Sequence, residues 1–272
     1  MTDVAWGAFA PKGMSRLVLD TTLRLPRSWA GKRLFYTLRR FGRSVLAGKP
    51  VDVVRFGTRL RLSSDRNNVC EGRILFNPDY FDSSERAFLN EVLPPEPVFI
   101  DAGANIGGYS FFVTQIRPKA RVIAVEAQAN TYRRLAFNVA QNAGRQITPV
   151  HCALSDKNGT VDLFINDTNN GETSIKLRNE SGRSVRVKGL TLLQLAEDFD
   201  LPRIDAMKMD IEGAEDFVLK AFLEAAPEAL YPRVILMEHS GKRWDFDIVG
   251  LLEGYCYRKT RDFGGNIVLS RD

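Results

Sequence analysis

Three cysteines, two histidines and no long apolar run set the first limits on this 272-residue chain. Cys70, Cys152 and Cys256 are odd in number, far apart and without C-x-x-C spacing. They read as free thiols of a reducing compartment, not as a disulfide frame or a zinc site. With only His151 and His239 available, a histidine-built metal centre is not expected. No stretch of about 18 apolar residues occurs, so no membrane-spanning helix is predicted. The opening MTDVAWGAFAPKGM lacks the charged-then-apolar order of a secretory leader, and a cytoplasmic location is expected. What is present is length enough for one large α/β domain and an extension in front of it.

Charge is unevenly spread. Residues 1–66 carry 14 Lys/Arg against 4 Asp/Glu, whereas the remainder carries 24 against 29. Attraction to anionic partners therefore belongs to the leading segment. Within it, residues 27–47 place Leu34, Leu38, Phe41 and Val45 at the spacing of one helix face, with arginines and lysines between them. Such a basic amphipathic helix can rest on an anionic membrane surface. The favoured reading is the plainer one, in which the apolar stripe packs on the main domain. No nucleic-acid partner is expected.

Residues 51–62 alternate around Gly57-Thr58 as a small hairpin. A short helix starts at Ser83 or Ser84 and stops before Pro94-Pro95, where an N-terminal extension (1–95) gives way to the main domain (96–272). From Val98 onward strand and helix patterns alternate. Strands are predicted over 98–101, 121–125, 147–152, 204–209 and 233–238, with a β excursion at 160–189. A final strand pair lies around Gly264-Gly265. The alternation predicts an α/β fold, a doubly wound and mostly parallel sheet with one antiparallel strand near the C-terminus, at the end of the sheet.

The stretch VFIDAGANIGGYS (98–110) runs a buried strand into a glycine turn and then a helix. Its glycines follow G-x-x-x-G-G rather than the dinucleotide pattern G-x-G-x-x-G. Acids then stand at successive strand ends: Asp101, Glu126, Asp156, Asp210 and Glu238. Glu126 lies 19 residues beyond Gly107, where an acid can accept both hydroxyls of a ribose. NAD and S-adenosylmethionine would both satisfy such an acid; the missing pyrophosphate turn favours the second.

DAGANIGGYSF, VIAVEAQANTYRRLAFNVAQN, HCALSDKNGTVDLF, IDAMKMDIEGAED and VILMEHS resemble successive motifs of the FkbM family of S-adenosylmethionine-dependent methyltransferases. The resemblance covers about residues 73–270 and implies a class I, Rossmann-like methyltransferase fold. It implies that Asp101, Gly103, Asn105 and Gly107 form the turn around the methionine portion of the cofactor. Glu126 would take the ribose, with Leu154, Ser155 and Asp156 near the adenine. The second-strand motif departs from the family's Glu-Pro pair, having Glu126-Ala127. The family implies O-methylation of a hydroxyl on a sugar of a glycan or glycolipid, or on a secondary metabolite.

Methyl transfer to an alcohol needs alignment and help in removing the hydroxyl proton. His239, after the fifth strand, is the first choice of base on its ordinary pKa, with Glu238 beside it to be oriented by it. Asp210 is the second choice, and Lys208, on the same strand face, would hold Asp210 ionised or bind the acceptor hydroxyl. Mg²⁺ on Asp210, Glu212 and Glu238 is a less favoured alternative. The competing readings are a nicotinamide-dependent oxidoreductase and a non-catalytic binding protein on the same fold.

Overall fold

A computed structural model describes residues 4–26, 28–165, 173–175, 184–239 and 243–272. The chain opens with helices α1 (Gly13–Leu23) and α2 (Trp29–Leu46), the hairpin β1 (Pro50–Arg55) and β2 (Thr58–Ser63), and helices α3 (Val69–Phe76) and α4 (Ser83–Val92). The alternating part follows: β3 (Val98–Ala102), α5 (Gly108–Ile116), β4 (Arg121–Glu126), α6 (Ala129–Ala140) and β5 (Ile147–His151). Then come the short strands β6 (Ala153–Leu154), β7 (Gly159–Ile165), β8 (Thr173–Ser174) and β9 (Ser184–Leu190). Helix α7 (Leu192–Asp198), β10 (Ala206–Met209), α8 (Glu215–Ala225), β11 (Val234–Glu238), α9 (Ile248–Gly254), β12 (Arg258–Asp262) and β13 (Asn266–Ser270) complete it.

The main sheet has seven strands in the order β12-β13-β11-β10-β3-β4-β5. Strands β11, β10, β3, β4 and β5 run parallel, while β13 pairs antiparallel with both β11 and β12. The antiparallel strand thus lies one place in from the edge, not at the end of the sheet. Strand order reverses between β3 and β10, which opens a crevice at their carboxyl ends.

Both faces of β3 are covered, as its run VFIDA, buried throughout, requires. Side-chain alternation sends Phe99 to one core and Ile100 to the other. The Ile100 face packs on α7, α8 and α9 through Leu195, Leu219, Phe222 and Leu252. The Phe99 face packs on α5 and, in the same cluster, on Phe56, Phe81, Phe88 and Leu89 from the leading segment. One core therefore runs across Pro94.

The leading segment is pinned by a buried ion pair. Arg61 Nε meets Asp52 Oδ1 at 2.7 Å, and both side chains are almost inaccessible. Arg61 also donates to the carbonyls of Val4 and Ala5, Asp52 accepts from the N–H of Gly7 and Phe9, and the Phe9 and Phe137 rings flank the guanidinium. The hairpin turn has φ of 52° at Phe56 and 64° at Gly57, the two positive values that a tight two-residue turn needs.

Helix α2 forms as expected, capped by Ser28, whose side chain accepts from Gly31 N. Its buried face differs from the one expected. Gly31, Phe35, Gly42 and Leu46 face inward, whereas Leu34, Phe41 and Val45 are exposed and Leu38 is only partly covered. Gly42 explains the choice: a Cβ there would press on Val18 and Phe76, so the helix approaches α1 and α3 through its small residues. The polar stretch 166–172 of the predicted excursion lies outside the described residues; the strands around it form a second sheet, β6-β9-β7-β8.

Candidate active site

A cavity of about 280 Å³ opens at the carboxyl ends of β3, β4 and β10 and is roofed by the leading segment. At its floor the turn after β3 is held by close backbone packing. Gly103 has φ of 76°, and a Cβ on it would strike the Asp210 carbonyl, so only glycine lets these two strand ends meet. Asp101 is buried and in register with Lys208 of β10. Its Oδ2 accepts from Ser110 N at 3.0 Å and Ser110 Oγ at 2.5 Å, tying the carboxylate to the first turn of α5. Burial pushes the Asp101 pKa up to about 6 against the pull of Ser110 and Lys208.

Glu126 closes β4 and is 8% exposed. Its Oε2 accepts from Asn105 N at 2.9 Å and its Oε1 from Gln128 N at 2.8 Å. Each oxygen keeps lone-pair capacity for a ligand hydroxyl. Burial raises its pKa to about 7, opposed by those two N–H groups and by Arg134. Asn105, at φ of 52°, presents a buried Oδ1 that has no hydrogen-bond partner, an acceptor of the kind native structures leave open only for a reason. Beyond Glu126 the wall turns apolar, with Ala127, Cys152, Leu154, Leu163 and Ile175.

At the opposite side Lys208, 2% exposed, reaches Asp210 Oδ2 at 3.1 Å, and its ammonium lies 5.5 Å from the centre of the Tyr109 ring. Burial disfavours the ammonium, but Asp210, Asp82 and Asp101 together offset this and the Lys208 pKa is raised. Asp210 is the accessible member of the pair, with 44% of its side chain exposed. Tyr109 Oη donates to Asp82 Oδ2 at 3.0 Å, and Arg73 Nη1 lies 3.3 Å from Asp82 Oδ1. Lys208, Tyr109, Asp82 and Arg73 thus link the sheet to α3 and α4.

Glu212 follows at φ of 56° and pairs with Arg243 at 2.5 Å. Burial, then Asp210 and Glu238, raise its pKa to about 8. Glu215, fully buried, accepts from the N–H of Ile211 and from Trp244 Nε1 and shapes the turn before α8. Among the described residues no three His, Cys, Asp or Glu side chains converge as a metal site.

Of the residues singled out from sequence, Asp101, Gly103, Asn105, Glu126, Leu154, Lys208 and Asp210 line this one cavity. Gly107, Ser155, Asp156, Glu238 and His239 are not among its lining residues. Gly107 instead caps the start of α5 at φ of 95°, where a Cβ would press on Phe111 and Leu135. Ser155 Oγ donates to Asp156 Oδ1 at 3.1 Å, and Asp156 is exposed. His239 is exposed beside Trp244, its backbone N–H donating to Gly265 O. Sequence reasoning passed over Arg73, Asp82 and Tyr109. Only Tyr109 carried a signal, standing directly after the glycine turn.

An open α/β sheet of this strand order, with a carboxylate at the second strand end and no pyrophosphate turn, defines a class I methyltransferase. Residues 101–258 match the Methyltransferase FkbM domain, and the chain belongs to the FkbM methyltransferase family. It is 31% identical to methyltransferase sdnD of Sordaria araneosa, over 62% of this chain and 77% of that one. It is 28% identical to the hexuronic acid methyltransferase AglP of Haloferax volcanii, over 56% of this chain and 60% of that one. With the 2-O-methyltransferase NoeI of Sinorhizobium fredii it shares 26% identity, over 54% of this chain and 64% of that one. S-adenosylmethionine is the methyl donor of the family, and the cavity fits it. Glu126 has free capacity for ribose hydroxyls, the orphaned Asn105 Oδ1 suits an ammonium donor, and the apolar wall suits a flat base.

Proposed function

We propose that the protein transfers the methyl group of S-adenosylmethionine to a hydroxyl oxygen of a sugar, glycolipid or small-molecule acceptor. The observation that carries this reading is the accessible Asp210 carboxylate, held by the buried Lys208 one strand away from the Asp101–Asn105 turn. The donor supplies an electrophilic methyl carbon. The chain supplies alignment and a destination for the proton.

In this reading Glu126 accepts the ribose hydroxyls and Asp101 with Asn105 holds the methionine end. Leu154 and Cys152 flank the base, with Ser155 and Asp156 at the adjoining loop. The acceptor hydroxyl would donate to Asp210, which would take its proton; the donor, when bound, would supply the methyl carbon, its carbon–sulfur bond breaking as the oxygen–carbon bond forms. Lys208 keeps Asp210 ionised beforehand and offers a donor to the oxygen. Relatives named for hexuronic acid and 2-O-methylation support an oxygen acceptor on a sugar. Two substitutions test the assignment. Asp210→Asn should abolish most turnover while S-adenosylmethionine still binds in calorimetry. His239→Ala, which removes the other candidate base, should stay near wild type; the reverse ranking would move the proton to His239 and Glu238.

A second reading concerns α1 and α2. Trp29 is 76% exposed, and Leu34, Phe41 and Val45 join it on α2 as Met14 and Leu17 do on α1. Lysines and arginines lie between them. This supports peripheral contact with an anionic membrane surface, beside which a lipid-linked acceptor would be presented. Among the described residues no helix is long and apolar enough to cross a membrane. Sedimentation with phosphatidylglycerol vesicles should fall when Trp29 and Phe41 are both replaced by Ser; unchanged sedimentation would end the idea.

A further inference from the structure

Helix α2 lays two arginines along α3, the helix whose start lines the cavity. Arg39 is half-buried, makes no hydrogen bond or ion pair with any described residue, and has a buried Nε without a partner. Arg43 reaches the carbonyls of Arg66 and Asn68, at 3.4 and 3.2 Å, but its Nε is likewise buried and unpaired. Gly72 provides the space. A Cβ on it would collide with Arg43 Nη2 and lie 3.2 Å from Arg39 Nη2, which also shows that the two guanidinium ends sit side by side. Arg73, the next residue, lines the cavity and, among the described residues, pairs with Asp82 at 3.3 Å.

Three like charges gathered where α2 meets α3, two from α2 and one from α3, with Arg39 unmatched among the described residues, form an arrangement that costs stability when nothing neutralises it. Burial first, then Arg43 and Arg73, lower the Arg39 pKa to about 10, the direction expected of a cation short of a counterion. Planar guanidinium groups in this setting suit the paired oxygens of a phosphate or a carboxylate. Asp65 acts on Arg43 and Asp82 faces Arg73, but Asp82 is already engaged by Tyr109 and Arg73, Asp65 by Asn67 N, and the neighbouring Glu71 by Arg134.

We propose that Arg39, Arg43 and Arg73 form an oxyanion subsite beside the methyl-transfer cavity, which binds a phosphate or carboxylate group carried by the acceptor. Its assignment to the acceptor rests on the methyl-transfer reading above; the binding of an oxyanion does not. The acceptor hydroxyl would then stand at Asp210 while its charged group is held across α3. This restricts the acceptor class to acidic sugars, glycosyl phosphates and similarly anionic alcohols.

The full chain and its Arg39→Met variant test this with inorganic pyrophosphate and glucuronate as probes, by calorimetry and by thermal unfolding. Wild type should bind at least one probe, and Arg39→Met should weaken it about tenfold or more. Without probe, Arg39→Met should unfold at the same or a higher temperature than wild type, since it removes an unmatched charge. S-adenosylmethionine affinity should be equal in both proteins. The tighter probe names the acceptor's group. Failure of both probes to bind, or equal binding by the two proteins, would overturn the subsite. So would a loss of thermal stability in Arg39→Met that neither probe alters. Loss of S-adenosylmethionine binding by wild type would instead strike at the methyl-transfer reading alone.

Discussion

The two halves of the cavity are built on different principles. On the sheet side, Asp101 and Glu126 are carboxylates whose oxygens already accept Ser110, Asn105 and Gln128 backbone N–H groups. Their positions are fixed by strand register and by a glycine turn that admits no Cβ. On the side of the leading segment, Arg73 and Asp82 of the lining, and Arg39 and Arg43 beside it, are placed by helices packing on one another, and Arg39 and Arg43 hold buried nitrogens without partners. The sheet side holds its carboxylates fixed before any ligand arrives, as the proposed donor site requires; the helical side carries unmatched charge, as the proposed oxyanion subsite requires. A donor common to a family calls for the first arrangement, and an acceptor peculiar to one enzyme calls for the second.

The sharpest break between the halves should come from Asp210, which stands at their junction. Asp210→Asn should lower turnover by about 10²–10⁴-fold, the range of general-base assistance, with donor affinity within a few-fold of wild type in calorimetry. Next in size is Arg61→Ala. It strips the partner from a carboxylate that is almost inaccessible, so unfolding in urea should show a loss of about 3–5 kcal/mol. The start of the leading segment should loosen before the sheet does, as hydrogen exchange of residues 4–10 would register. Glu126→Ala should weaken S-adenosylmethionine by one or two charge-assisted hydrogen bonds of about 1.5–3 kcal/mol each, while pyrophosphate binding at the arginines stays intact.

A smaller effect follows from protonation of the sheet side. Burial holds Glu126 up to about 7, against an ordinary 4.5. The folded state therefore retains a proton that the unfolded chain has lost. Its contribution to stability is complete below about pH 4.5 and is lost as pH rises through about 7. Donor affinity should run the other way, because the ionised carboxylate is the better acceptor for ribose hydroxyls. Calorimetry between pH 6 and pH 8 should show affinity rising in wild type and little change in Glu126→Gln.

Legibility in the sequence divides along the same line. Strand ends could be read because buried parallel strands are short apolar runs, and an acid stands at or directly after the end of β3, β4, β10 and β11, though not of β5, whose Asp156 lies further along an exposed loop. Asp101, Glu126, Lys208 and Asp210 line one cavity for that reason, and the strand pattern accounts for the sheet apart from the inward position of β13. Helices α1 and α3 were not anticipated. Helix α3, VCEGRILF, is eight residues long and Asn68 makes no side-chain capping bond, so it carries no start signal. The stripe on α2 was read for its apolar side chains, whereas contact is made through Gly31 and Gly42, and glycine leaves no hydrophobic pattern. Tyr109, Asp82 and Arg73 meet only through tertiary packing across 36 residues of chain, which no spacing rule records.

The most direct test of the account is calorimetric titration of S-adenosylmethionine into the wild-type chain and into Glu126→Ala and Arg39→Met. One site with saturable binding, greatly weakened by Glu126→Ala and unaffected by Arg39→Met, is the predicted result. Absence of binding to wild type, or tight binding of NADH in its place, would contradict it.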